Sequence, residues 1–580
     1  MKSKVTTILA LLMLPMLLLA QSRWQEANPP MIDRGQGGSA APSAAPQAAQ
    51  KGATAPILIG KTWNAYAPQS PYTNLIAYDP FSNLAALVKR TDRTGAGSGR
   101  IVYQISKDGG QTWSPQIGPI NSGNFLSGRH PNVLISNPTK SADPTAATVV
   151  ANYNDLTASP TFGDVIYASD KQSAPGAPAF FGRDASDAFS YAGAVDLNNG
   201  DCYFSITGAN SFYSAVGKLT GGGTTLAPHV VIAPGNQIIT LSGAMVDVGN
   251  DGTVHYVTRA RFSQGAPTSA TFLWRYQRST DGGATWSAPE HVNPNVAAGR
   301  HVSNYEFDVI VDGNNQFHIA ALLVDTLAND LDLYDIVRST GGTWSAVKVA
   351  DIRRSVFAGI PQEPGGSQLI QLNEPEFAKT KDGKILALKW IDIIPNATTP
   401  AEQSTPDVWL ASSTSGSWSV PVNVSNSPTI AEVFTNLATF MSDNGQLFMF
   451  FLTPTVGDLS ECNLWFLPEA KIQTTAVSEK TKSAPEDFAL HQNYPNPLRA
   501  SAFNPSTSIS FSLPVATTVK LQVFDVLGNE VASLINARLE AGTHEVKFAP
   551  KKLPSGVYFY RLQTAQQILM KKMVLMQSGN

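Results

Sequence analysis

The nine residues Ser106-Lys107-Asp108-Gly109-Gly110-Gln111-Thr112-Trp113-Ser114 recur as Ser279-Thr280-Asp281-Gly282-Gly283-Ala284-Thr285-Trp286-Ser287. Worn copies stand at Ser339-Thr340-Gly341-Gly342-Thr343-Trp344-Ser345 and Ser413-Thr414-Ser415-Gly416-Ser417-Trp418-Ser419. A repeat of this kind means that one supersecondary unit is stacked several times. Each full copy follows an apolar strand, Ile101-Val102-Tyr103 or Leu273-Trp274-Arg275-Tyr276. The Asp carboxylate can accept backbone N–H groups in a turn. The glycine pair supplies the positive φ angles of a tight hairpin, and the Trp packs on the sheet as the next strand begins.

These residues resemble the Asp box of sialidases and other Asp-box (BNR) β-propellers. The resemblance implies that Ser106, Asp108, Gly110, Trp113, Ser279, Asp281, Gly283 and Trp286 are structural, on hairpins at the outer blade edge. Both Trp side chains are expected to be buried. A second element recurs within 56–467: an apolar strand, an Asp/Asn-Gly turn, and a returning apolar strand. Examples are Asp308-Val309-Ile310-Val311-Asp312-Gly313 before Gln316-Phe317-His318-Ile319, and Phe377 to Gly383 before Lys384-Ile385-Leu386. Counting these units gives seven, near 73–117, 129–182, 191–233, 241–290, 303–348, 372–421 and 434–467. The expected fold is therefore all-β: a propeller of seven blades, with the six blades of sialidases as the alternative. The last unit lacks a fourth strand, and Ile57-Leu58-Ile59 could supply it, which would protect the sheet edges.

Targeting and composition set the remaining bounds. Lys2 and Lys4, the apolar run Val5–Leu19 and Leu18-Leu19-Ala20 read as a secretory signal peptide over 1–20. Residues 21–55, rich in Ala, Pro and Gly, read as a flexible leader. The 580 residues carry a net charge of −3 without long runs of one sign, which argues against a nucleic-acid partner. The two cysteines, Cys202 and Cys462, carry no metal-ligand spacing and read as buried free thiols, with a disulfide conceivable.

Residues 468–486 form a polar linker before a small domain at 487–576. That domain carries Asn493-Tyr494-Pro495-Asn496-Pro497, Phe503-Asn504-Pro505, Val523-Phe524-Asp525-Val526-Leu527-Gly528 and Leu553-Pro554-Ser555-Gly556-Val557-Tyr558. Alternating strands predict a small Ig-like β-sandwich. The segment closely resembles the C-terminal sorting domain of type IX (Por) secretion substrates. This implies the type IX machinery as a partner and a secreted or outer-membrane cell-surface location, reached through the periplasm. Leu498 to Ala502 interrupts the usual Asn-Pro-Phe-Asn-Pro run, in a place where a loop would absorb it.

The sialidase resemblance implies three arginines on a substrate carboxylate, a Tyr nucleophile, an activating Glu and an Asp acid/base. Arg129-His130-Pro131 matches the first arginine in part, Asp155 fits the acid/base, and Glu374 in Asn373-Glu374-Pro375-Glu376-Phe377 fits the activating Glu. A turn arginine and a turn aspartate are the plain alternatives for the first two. Lys389 stands where the second arginine belongs. No Arg or Tyr occurs from 355 to 493, the interval that should hold two arginines and the nucleophile. Asp330, Asp332 and Asp335 could bind a hard cation, against the plainer reading of a solvated acidic strand edge. No metal spacing or cofactor motif is present, so none is expected. Two readings follow: a propeller that binds an extracellular glycan or polymer without sialidase chemistry, or a glycoside hydrolase of the wider Asp-box group using axial carboxylates such as Glu374, Glu376 and Asp155.

Overall fold

The structure is a computed structural model. It describes residues 56–577 except for single positions and short loops, of which 64–72, 92–98, 122–127, 156–162, 263–272, 293–300, 353–372, 394–405, 426–431, 473–487 and 501–506 are the longer ones. The proposed signal peptide and leader lie outside the described residues, as does most of the linker. Two compact units divide the chain, Met1–Thr474 and Thr475–Asn580.

The first unit contains seven antiparallel sheets among the described residues. Their innermost strands are Ile76–Asp79, Gly128–Ser136, Ala188–Val195, Ile238–Val248, His301–Val311, Glu376–Lys379 and Val433–Leu437. Each innermost strand touches the next, and the seventh returns to the first, so the sheets form a closed ring of blades. Blade one shows three strands, and the other six show four. The outermost strand of blade seven is Ile57–Trp63, paired antiparallel with Asp458–Phe466. The N-terminal strand thus closes the ring on its C-terminal blade. The blade does not stop at 467, however. Leu447 N donates to Ala470 O at 2.8 Å, and Ala470 and Ile472 are buried in the same core.

Sequence explains why each blade forms. Its strands are short apolar runs, and its first hairpin closes on a short polar side chain that caps its own turn, in most blades an Asp. Asp312 Oδ1 accepts the N–H of Asn314 (2.9 Å) and of Gln316 (2.7 Å). Asp196 does the same for Asn198 at 2.8 Å. Apolar side chains then fill the space between neighbouring sheets. Trp274 and Tyr276 of blade four meet Phe307 and Phe317 of blade five, and Leu333 of blade five shares a core with Trp390 and Trp409 of blade six. Cys202 and Cys462 are buried in blades three and seven and are not joined by a disulfide.

The second unit has a three-stranded and a five-stranded sheet around one apolar core. Tyr560 is buried at its centre. Its hydroxyl accepts from Asn493 N and donates to His491 O, both at 2.7 Å. Asp525 Oδ1 caps its turn by accepting Leu527 N and Asn529 N, both at 2.9 Å. The insertion's described residues do not lie in a loop. Leu498–Ala500 adds an edge strand parallel to Leu575–Gln577, with Leu498 fully buried.

Candidate functional site

The repeated turns come first, because their geometry is local. Ser106 Oγ donates to Asp108 Oδ1 at 2.8 Å and accepts Gly110 N at 2.8 Å. Asp108 also takes Thr112 N at 3.0 Å, and Trp113 Nε1 donates to Gly110 O at 3.1 Å. Ser279, Asp281, Gly283, Thr285 and Trp286 repeat this set bond for bond, with Ser279 Oγ to Asp281 Oδ1 at 2.7 Å and Trp286 Nε1 to Gly283 O at 3.1 Å. Gly110 has φ +87° and a Cβ there would overlap the Phe466 ring, so the turn of blade one seats against blade seven. The Trp side chains are half-buried rather than buried. Trp113 meets Phe466 edge-on at 5.6 Å, and Trp286 meets Tyr256 at 5.9 Å. A hairpin at the blade edge has protein on one side only, which is why its Trp keeps one exposed side.

At the ring's axis the chemistry is different. Glu374 is fully buried with φ +47°. Its carboxylate accepts Phe434 N at 3.0 Å and Thr435 N at 2.7 Å, both in blade seven. Glu306 of blade five accepts Asn373 N (2.9 Å) and Glu374 N (3.0 Å) of blade six. Asp308 accepts Phe377 N at 2.7 Å, and Glu376 accepts Leu437 N at 2.7 Å. Asp247 of blade four accepts Val311 N of blade five at 2.7 Å. Asn436 of blade seven accepts Leu75 N of blade one at 2.7 Å. One device therefore recurs: an acceptor side chain near the axis of one blade binds a backbone donor of the next. An innermost strand has sheet partners on one side only, and its remaining buried N–H groups need acceptors.

Two lysines pair with three of these carboxylates. Lys389, where the second sialidase arginine was expected, is fully buried. Its Nζ lies 2.9 Å from Glu376, donates to Glu374 O at 2.8 Å and reaches Thr435 Oγ1 at 2.5 Å. Lys379 Nζ donates to Asp247 at 2.8 Å and to Val311 O at 3.1 Å. Burial pushes the Glu374 carboxyl up to about 7 despite Lys389, with Glu376 adding repulsion. Burial also raises Glu306 and Asp308 well above the carboxylate range, against the backbone donors they accept.

Among the described residues, the cavity between the inner strands is about 20 Å³, room for about one water molecule. Asp247, Asp308 and Glu376 line it, whereas Glu374, Arg129 and Asp155 are not in its wall. Arg129 and Asp155 are neighbours in blade two, where Gly128 pairs with Asp155 and Arg129 with Asn154. Burial lowers the Arg129 guanidinium, and Asp155 opposes that shift. Of the three sequence candidates, the fold brings two together in blade two and sets the third in blade six.

The acidic strand edge resolves into separate partnerships. Asp335 is bonded to His318 Nδ1 at 3.0 Å and to Trp418 Nε1 at 3.0 Å, whereas Asp332 pairs with Lys348 at 2.9 Å. Their odd spacing along the strand sends them to opposite faces. Asp330's side chain lies outside the described residues. Glu306, Asp308, Asp247, Lys379 and Asn436 were not singled out from sequence. Their signal was a charged or amide residue inside an apolar inner-strand run, as in Glu306-Phe307-Asp308-Val309-Ile310.

Comparison with known proteins fixes the C-terminal unit. Residues 492–576 match the secretion system C-terminal sorting domain. This domain marks the chain for export through type IX secretion to the cell surface or the extracellular space. Among solved structures, the chain is similar to PorZ, a bacterial surface component of the type IX system of Porphyromonas gingivalis. Identity is 13%, with 87% of this chain and 59% of that chain covered and a TM-score of 0.37. This chain therefore spans about three-fifths of the length of PorZ. A polysaccharide lyase acting on ulvan is similar at 12% identity, covering 72% of this chain and 96% of its own, with a TM-score of 0.44. An exo-β-1,3-galactanase from Phanerochaete chrysosporium is similar at 11% identity, 90% and 100% coverage, and a TM-score of 0.28. No curated protein matches the chain.

Proposed function

We propose that the seven-bladed unit is a sialidase-like, Asp-box propeller that binds an extracellular glycan or polymer and does not hydrolyse sialosides. One observation carries this reading: the Glu374 carboxylate is committed to the backbone of blade seven, with no surface toward a substrate. An activating glutamate must reach a nucleophile, and the interval from 355 to 493 offers no Tyr. The small axial cavity and the bonded state of its carboxylates favour a scaffold at the hub. The Ser-x-Asp-Gly-Gly-x-Thr-Trp turns, with identical bonding in blades one and four, support the Asp-box assignment.

The test uses the purified full chain. A glycan and polysaccharide panel is read for binding, and the same ligands are assayed for released sugar. Binding without release is expected. Turnover that Glu374→Gln abolishes, in a variant that stays folded, would establish the glycoside hydrolase reading instead. The sorting unit is proposed to take no part in binding. Deleting 487–580 in a host with the export system should leave a folded propeller in the periplasm, and unchanged surface levels would separate export from this unit.

A further inference from the structure

A second cavity, of about 180 Å³, lies where first-hairpin turns converge around one end of the axis, with walls from blades one to four, six and seven. We propose that it is a binding site for a single acidic sugar residue, a uronate or a similarly charged pyranose, and so the subsite that recognises an acidic glycan. This rests on the glycan-binding reading and names its ligand class.

Charge, shape and size each point there. Three lysines and no carboxylate line the cavity. Lys379 forms its floor, but its ammonium is taken by Asp247, Val248 O and Val311 O. Lys381 is at the rim, paired with exposed Asp443 at 2.6 Å. Such a surface pair is worth little and exchanges readily. Lys140 has no carboxylate partner among the described residues. Its backbone has φ +53°, held in a loop where Lys140 N donates to Asn137 O at 3.0 Å and Asn137 Oδ1 accepts Ser141 N at 3.1 Å. Its ammonium lies over the Phe81 ring, 5.7 Å from the centroid. A phenyl ring and an ammonium in one wall offer an apolar patch for a sugar's C–H groups and a cation for its carboxylate.

The neighbouring acids are engaged in their own turns. Asp79 accepts Phe81 N (3.2 Å), Asp196 accepts Asn198 N (2.8 Å), and Asp382 accepts the Thr380 hydroxyl (2.7 Å). The amide nitrogens of Asn198 and Asn250 donate to Asn250 O and Asp382 O, leaving both amide oxygens to accept sugar hydroxyls. The volume falls below the several hundred Å³ of drug-sized pockets and fits one ring.

The experiment titrates the full chain with glucuronate, glucose and an oligoglucuronide by calorimetry. Glucuronate and the oligomer should bind, with glucose about tenfold or more weaker, and Lys140→Gln should weaken glucuronate by about tenfold. Lys140 is exposed, and an unchanged denaturation midpoint verifies its variant's fold. Equal affinity for glucose and glucuronate, or glucuronate binding unmoved by Lys140→Gln and Lys381→Gln, would overturn the site. Polymer binding that survives both variants would keep the binding-module reading and remove this subsite. Glucuronate binding without any polymer binding would do the reverse.

Discussion

The hub and the rim of this propeller use the same bond and obtain opposite electrostatics from it. At the rim, Asp108 and Asp281 accept N–H and O–H donors from residues four positions on, in turns open to water. At the hub, Glu306, Glu374 and Asp308 accept backbone N–H donors from residues 60 to 69 positions away, buried from bulk solvent. Hydrogen bonds led by Thr285 hold the Asp281 carboxyl below its ordinary value. Asp108 is lowered too: desolvation is the largest single effect and raises it, but the donors of Thr112, Ser106 and Gln111 together outweigh it. At the hub, Glu306, Asp308 and Glu374 are raised by desolvation although they accept equally good donors. The donors are alike, so solvent access decides the sign.

The hub should also be the more expensive region to disturb. Lys389→Met leaves the Glu374 and Glu376 carboxylates without their cation in a dry site. Breaking a buried pair from one side costs about 3–5 kcal/mol. A urea titration of the full chain, following the propeller transition, measures this. A loss under about 1 kcal/mol would mean that the hub behaves like a surface and that the contrast with the rim fails.

At the rim, Trp113→Ala should cost about 2 kcal/mol, roughly half a core aromatic truncation, because the ring is half-exposed. A full core-sized loss would show that the Phe466 contact between blades matters more than exposure indicates. Ser279→Ala removes the acceptor of Gly283 N and one donor to Asp281, and should cost about 1 kcal/mol. The two rim losses should add, since the turns lie in different blades without shared partners.

The rim was readable from sequence and the hub was not, for one physical reason. A turn that satisfies itself within nine residues leaves a fixed spacing of Ser, Asp, Gly and Trp in the chain. The inner strands were readable too, because each leads into a self-capping polar turn, built on an Asp such as Asp312 or, in blades two and seven, on Asn137 and on Ser442 with Asn444. Ile57–Trp63 could be assigned to blade seven only because that blade lacked a strand and a ring must close. Hub bonds join blades, and only the folded ring brings Glu374 to Thr435. Sequence could flag Glu374 by its motif, but its actual partners are set by blade packing. Leu498–Ala500 was hidden for the same reason: its edge pairing reaches across the domain to Leu575–Gln577.

The smallest expected effect is a slope with pH, and it tests the contrast most directly. Glu374 is raised from 4.5 to about 7 in the fold. Over that interval the folded chain holds a proton that the unfolded chain releases. Its contribution is therefore fully present below about pH 4.5 and is lost as pH rises through about 7. Glu306 and Asp308, raised well above their ordinary values, extend the same loss to higher pH. The rim works in the other direction. Asp108 and Asp281 are lowered, so their contribution is present above the ordinary aspartate value and is lost only as pH falls below it. Urea midpoints measured from pH 4.5 to 8 should decline with pH, and Glu374→Gln should flatten the part of that decline up to about pH 7. Replacing Asp108 and Asp281 by Asn should leave that region of the curve alone and change only the acid limb. A midpoint that rises between pH 4.5 and 7, or a Glu374→Gln curve parallel to the wild type, would show that the hub carboxylates are ionised and hydrated like those of the rim.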